Sequence, residues 1–226
     1  MSHAAATRVP ILLATVALAH FALAGRFGLY SDDWSFFAPF VNDSLPQALA
    51  RIGRGIGSGY EGRPLGAIAP GVVGYLIGLT GSFIAASVAG ACIIACNAEL
   101  LWRLVNRVAG PWYAWATALA FILSPVDLTR ELPMHAVILQ LSVTCTLVAA
   151  HFVATGRERA APFIGLLSLL TYESPYFLLA AVPLLAATPW SRRRWLVFLV
   201  QLAVVFVVYG IVRAATGESR ISDLST

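Results

Sequence analysis

The chain has 226 residues, of which 59% are hydrophobic and 12% charged, and its mean hydropathy is +0.79. A soluble domain carries about a quarter charged residues, so composition excludes an ordinary soluble globule and predicts a polytopic membrane protein. The formal charge of +4 rests on arginine alone, since the chain has no lysine, and cytoplasm-facing loops account for it without a nucleic-acid partner.

The first apolar block covers about 9–29. It ends near "ALAG", which imitates a signal-peptide cleavage site. The run is longer than a usual signal core and further spans follow, so it reads as an uncleaved first transmembrane helix. The chain then leaves the block through "GLYSDDWSFF", where Asp32 and Asp33 adjoin Trp34, Phe36 and Phe37. The segment 30–82 reads as a long outer loop carrying interfacial helices. Within it, "SLPQALARIGRG" predicts a surface helix with Leu45, Leu49 and Ile52 on one face. Ser44 is the candidate N-cap and Pro46 suits the first turn. "GYEGRPLG" follows, with glycines that permit close backbone approach and Arg63 offering a planar fork of donors to a phosphate.

The block 64–80 is short, glycine-rich and interrupted by Pro64 and Pro70. Further apolar blocks lie at about 82–102, 110–125, 133–154, 161–188 and 194–213. The block 161–188 is too long for one ordinary span and carries "TYESP" in its middle. Two short tilted segments with the turn at "YES", and a block 64–80 that stays at the outer surface, put Arg8, Arg103, Arg107, Arg157, Arg159, Arg192, Arg193 and Arg194 in the cytoplasm. The opposite choice leaves only Arg8, Arg130 and the 192–194 cluster there, so the first topology obeys the positive-inside rule better. The expectation is an all-α, single-domain bundle of about seven crossings over 1–226. Its N-terminus is cytoplasmic, it sits in the plasma (inner) membrane, and 83–213 supplies the remaining transmembrane helices.

That topology gathers Asp32, Asp33, Asp43, Glu61, Asp127, Glu131 and Glu173 on the outer face. Carboxylates at the mouths of apolar helices are costly and usually line a cavity or an interface. The Asp32–Asp33 pair has two readings: a solvated helix terminus anchored by Trp34, or a general base beside a carboxylate that positions it or holds a cation. "SPVDLTREL" adds Asp127, Arg130 and Glu131, either as a polar turn or as a metal- and phosphate-binding group. Glu173 lies in an apolar stretch beside a helix-breaking proline and needs a partner or a water-filled cavity. His20, His135 and His151 read as structural. Cys92, Cys96 and Cys145 read as small apolar filler. No Walker loop, dinucleotide fingerprint, zinc spacing or Ser-His-Asp signature is present.

The order of features resembles the membrane-embedded glycosyltransferases of the GT-C class, including the protein mannosyltransferases and the lipid A aminoarabinose transferases. It runs from one span to "YSDDWSFF", a long first loop ending in "GRPL", a span ending in arginines, an outer loop with Asp127, and a broken hairpin with "TYES". The resemblance covers nearly the whole chain as a pattern; only "DDW" and "GRPL" are motif-like. It implies inverting transfer of a sugar from a polyprenyl-phosphate donor to a glycan, lipid or protein acceptor on the outer side. Asp32 or Asp33 would be the catalytic base. Arg63, Glu61, Asp127, Arg130 and Glu173 would line the substrate cavity, and Asp32, Asp33 and Asp127 would be the candidate ligands for a divalent metal (Mg or Mn). Members of the class usually have more spans, so an N-terminal portion of a longer protein, inactive alone, or a minimal member is expected. A transporter or flippase, or a non-catalytic membrane assembly protein, is the alternative.

Overall fold

The structure, a computed structural model, describes residues 3–24, 31–58, 62–124, 133–186 and 189–215. Every element among these residues is helical: α1 (His3–His20), α2 (Ser31–Val41), α3 (Leu45–Gly57), α4 (Ile68–Thr80), α5 (Ile84–Ala109), α6 (Pro111–Leu123), α7 (Pro133–Ala154), α8 (Ala161–Thr171) and α9 (Arg192–Ala215). Three 3-10 stretches, Pro64–Ala67, Glu158–Ala160 and Ser174–Leu185, join them. Where hydropathy predicts about seven crossings, three helices among the described residues are long and apolar enough: α5, α7 and α9, of 26, 22 and 24 residues. At about 1.5 Å per residue each exceeds the ~30 Å hydrocarbon core. The other apolar blocks form shorter pieces. The 110–125 block gives the 13-residue α6, which starts at Pro111 directly after Gly110 at φ 85°. The 161–188 block breaks where Pro175 follows Glu173, and its second half winds as a 3-10 helix with Pro183 inside.

α5 is the centre of the bundle. It packs on α7, α6, α1 and α4 through small side chains, with Ala91, Ala95 and Ala98 buried. A Cβ at Gly90 would lie 2.8 Å from the Ala136 Cβ, so α5 and α7 approach at glycine distance. In an apolar solvent, close packing and interhelical hydrogen bonds replace the hydrophobic drive. The bonds are present. Asn97 Nδ2 donates to the Gln140 carbonyl at 2.8 Å, and Thr144 Oγ1 donates to Asn97 Oδ1 at 2.7 Å. A hydroxyl chain of Thr146, Ser168 and Ser142 links α7 to α8 and ends on the Tyr172 carbonyl, 2.5 Å from Ser142 Oγ.

The two ends of the bundle differ. At one end Arg8 of α1 grips the Glu99 carboxylate with Nε and Nη2 at 2.5 and 2.6 Å, stacks 3.6 Å over Trp102, and shares Glu99 with Arg103. Arg194 at the start of α9 pairs with Glu158 at 2.7 Å near the same end, since α1 and α9 begin where α5 and α7 finish. The other end carries the first loop.

That loop is a folded layer. α3 starts where the sequence places it: Gln47 Oε1 accepts from the Ser44 N–H and hydroxyl, both at 2.8 Å. Its apolar face divides between the protein and the surface. Ala48 and Ile52 are buried, while Leu45 and Leu49 stay exposed. α4 presents Gly74 and Gly78 to α2 and Gly71 to Ile52 of α3, and a Cβ at Gly74 would lie 2.6 Å from the Phe37 carbonyl oxygen. The glycines of the 64–80 block are thus a seam for α2.

Candidate functional site

Asp32 and Asp33 occupy the first turn of α2, where the helix dipole favours negative charge. The side chain of Asp32 lies outside the described residues, as do Glu61, Asp127 and Arg130. Asp33 is 1% exposed, and its Oδ1 accepts the Met134 N–H at 2.8 Å. Met134 is the second residue of α7, so Asp33 satisfies one of the four amide donors that a helix N-terminus leaves open. The expected aromatic anchor also divides. Trp34 is exposed and meets Phe83 edge-on at 5.4 Å, whereas Phe37 is fully buried against α4. Only Trp34 is in a position to anchor at an interface, because Phe37 faces inward on the helix and fills the core.

The second part is an ion cluster formed by residues far apart in sequence. "GRPL" turns sharply: Gly62 sits at φ 78°, in the left-handed region, and a Cβ there would meet Arg213 Cγ at 2.7 Å. Arg63 then donates from Nε and Nη2 to the two oxygens of Glu173, at 2.8 and 2.9 Å. Its guanidinium lies 4.3 Å from the centre of the Tyr172 ring. Arg213, near the end of α9, donates from Nη1 to Glu173 at 3.3 Å and to the Tyr209 hydroxyl at 3.1 Å. Burial pushes the Glu173 carboxyl up. The Arg63 hydrogen bonds and the two arginine charges outweigh it and hold the carboxyl at about 2, so it is ionised. Two guanidinium groups share the Glu173 carboxylate. The side chains of Arg63, Glu173 and Arg213 remain 16%, 25% and 18% exposed, so solvent or a ligand reaches them.

Beside Arg63 lies a cavity of about 50 Å³, lined by Phe36, Arg63, Gly66, Met134, His135 and Tyr172. It holds one or two waters at most. Phe36 stands one helical turn from Asp33, and Met134 carries the amide that Asp33 binds; Asp33 itself is buried behind them, and Arg63 and Tyr172 line the cavity from the ion cluster's side. The structure therefore pairs Arg63 with Glu173 of the expected set and engages Asp33 separately at the start of α7. Among the described residues no three His, Cys, Asp or Glu side chains gather to hold a metal ion. Of the expected ligands only Asp33 has a described side chain, and it is engaged by a helix terminus.

Arg213 and Tyr172 complete the cluster without having been singled out by sequence. The available signal was an arginine closing the most apolar block, one turn after Tyr209. His20 and His151 place Nε2 at 2.7 and 2.8 Å from the Ile122 and Leu100 carbonyls, a structural use of both rings. Comparison with protein-family models, with curated proteins and with solved structures finds no match to this chain.

Proposed function

We propose that the chain is a membrane-embedded glycosyltransferase of GT-C type that takes its sugar from a polyprenyl-phosphate donor. One observation carries the reading: Arg63 and Arg213 converge on Glu173, and Arg63 lines a cavity that also meets Phe36 of α2, one helical turn from the acidic start of that helix. In this reading Arg63 and Arg213 hold the phosphate of the donor, and Glu173 keeps the two guanidinium groups aligned until the lipid arrives. Asp32 takes the proton from an acceptor hydroxyl. The acceptor oxygen attacks the anomeric carbon, the bond from that carbon to the phosphate oxygen breaks, and the polyprenyl phosphate leaves as an anion stabilised by the arginines. Asp33 positions the pair by fixing α2 to the start of α7. No step is routed through a metal.

A non-catalytic assembly role is the second reading, favoured by the engagement of Asp33 and Glu173 in internal bonds. The two separate in one experiment. The full chain is reconstituted in proteoliposomes, and binding of polyprenyl phosphate and transfer from its hexose conjugate are measured. Arg63→Gln and Arg213→Gln are expected to weaken lipid binding at least tenfold. Asp32→Asn is expected to abolish transfer with binding retained. If polyprenyl phosphate does not bind the wild type, or all three variants behave as wild type, the transferase reading is wrong and the scaffold stands.

A further inference from the structure

The arginine-rich end of α9 lies at the opposite end of the helix from Arg213 and is not used by the function above. A cleft of about 310 Å³ opens there, lined by Glu158, Arg159, Ser191, Arg193, Arg194 and Gln201. Glu158 gives one oxygen to Arg194, and its second oxygen, Oε2, is buried without a hydrogen-bond partner among the described residues. Arg159 and Arg193 have no carboxylate partner among the described residues. Three arginines against one carboxylate leave the cleft with two excess positive charges.

A second cavity, of about 580 Å³, continues from it along α9. It shares Arg193, Val197 and Gln201 with the cleft and adds Arg192 at the arginine end and Leu196 and Val200 along the helix. Leu196, Val197 and Val200 are 52%, 52% and 61% exposed, so this groove is an apolar track that begins at the arginines. A cationic cleft continuous with an apolar groove on a membrane-length helix is complementary to one class of molecule: a phosphate with a hydrocarbon tail.

We propose that this end of α9 is a binding site for an anionic glycerophospholipid of the phosphatidylglycerol type. Arg159 and Arg193 hold the phosphodiester, a headgroup hydroxyl donates to Glu158 Oε2, and one acyl chain lies along Leu196, Val197 and Val200. Phosphatidylcholine lacks both the net charge and the donor. The site stands independently of the transferase reading.

The test is native mass spectrometry of the full chain in detergent, titrated with phosphatidylglycerol, phosphatidylcholine or soluble glycerol 1-phosphate. Wild type is expected to prefer phosphatidylglycerol over phosphatidylcholine by roughly 30-fold, since each of the two basic side chains at the anionic headgroup is worth about fivefold. The double variant Arg159→Gln/Arg193→Gln leaves the Arg194–Glu158 pair intact and is expected to reduce that preference to within about threefold, with an unchanged melting profile. Arg107→Gln, near the same end of the bundle but outside the cleft, is expected to leave it unaltered. Equal retention of the two lipids by wild type, or a preference that survives the double variant, overturns the proposal. So does glycerol 1-phosphate binding as tightly as the lipid, because the groove then contributes nothing and the ligand is a soluble phosphate.

Discussion

The most informative substitution is at Asp33, because its buried carboxylate has a specific structural use that a base would not need. Asp33→Ala removes the acceptor of the Met134 N–H, made at 2.8 Å in a site where Asp33 is 1% exposed. Loss of a helix N-cap costs about 0.5–2 kcal/mol, and loss of a negative charge at a helix N-terminus a further 0.3–1 kcal/mol or somewhat more. The expected destabilisation is therefore about 2 kcal/mol, a roughly 30-fold shift in the folding equilibrium. Asp33→Asn keeps a side-chain oxygen for the amide and loses only the charge, so about 0.5–1 kcal/mol is expected. Unfolding of the full chain in mixed micelles of increasing SDS fraction, followed by circular dichroism, measures both. The same Asn variant is expected to keep polyprenyl-phosphate binding and to retain transfer, unlike Asp32→Asn. Two results would refute the reasoning: an Ala variant as stable as wild type, or an Asn variant that folds normally yet loses all transfer. The second would make Asp33 the base after all.

The remaining predictions concern the ion cluster and the glycine seam. Glu173→Gln removes the carboxylate that Arg63 and Arg213 share; for a half-buried cluster about 1.5–3 kcal/mol of destabilisation is expected, below the 3–5 of a fully buried pair. Arg63→Gln combined with Glu173→Gln should cost less than the sum of the two alone, and an additive double-mutant cycle would show that the ion pair contributes nothing. The folded carboxyl of Glu173 is lowered from 4.5 to about 2, so its stabilisation is full above pH 4.5 and disappears as pH falls towards 2. Stability measured in wild type and in Glu173→Gln should thus differ by a constant amount from pH 5 to 8 and converge near pH 2; convergence already at pH 5 would mean that the arginines do not hold the proton off. Gly74→Ala drives a Cβ to 2.6 Å from the Phe37 carbonyl oxygen and is expected to cost about 1–3 kcal/mol. Gly53→Ala in α3, with nothing within 4 Å of the new Cβ, should be neutral or stabilising by up to about 1 kcal/mol. Equal melting temperatures for these two variants would argue against the α2–α4 seam.

Much of the fold was legible because it depends on neighbours in sequence. Apolar composition and hydropathy mark out α5, α7 and α9. The start of α3 follows from Ser44, Pro46 and Gln47, which act within one turn of each other. The break in the 161–188 block follows from Pro175, which has no amide to donate and crowds the preceding turn. Hydropathy counted apolar length but could not count crossings, since the 110–125 and 161–188 blocks divide into helices too short to span unaided. The expectation that Glu173 needs a partner or a water-filled cavity was a statement about charge in an apolar stretch, and Arg63 is the partner.

Which groups meet was decided by tertiary structure alone. Asp33 caps α7 through an amide 101 residues later in the chain, and Arg63 reaches Glu173 across 110 residues. No local propensity encodes such distances; they follow from α2 docking in the glycine seam of α4 and from α4 lying against α5 and α7. The same docking turns Phe37 inward and leaves Trp34 outside, a difference of three residues on one helix that composition cannot see. Sequence by itself determined a helical membrane protein with acidic residues at helix mouths, because transfer energies are properties of single residues. The partner of each carboxylate is a property of the packed chain, because an ion pair exists only where the backbone brings both charges within about 4 Å.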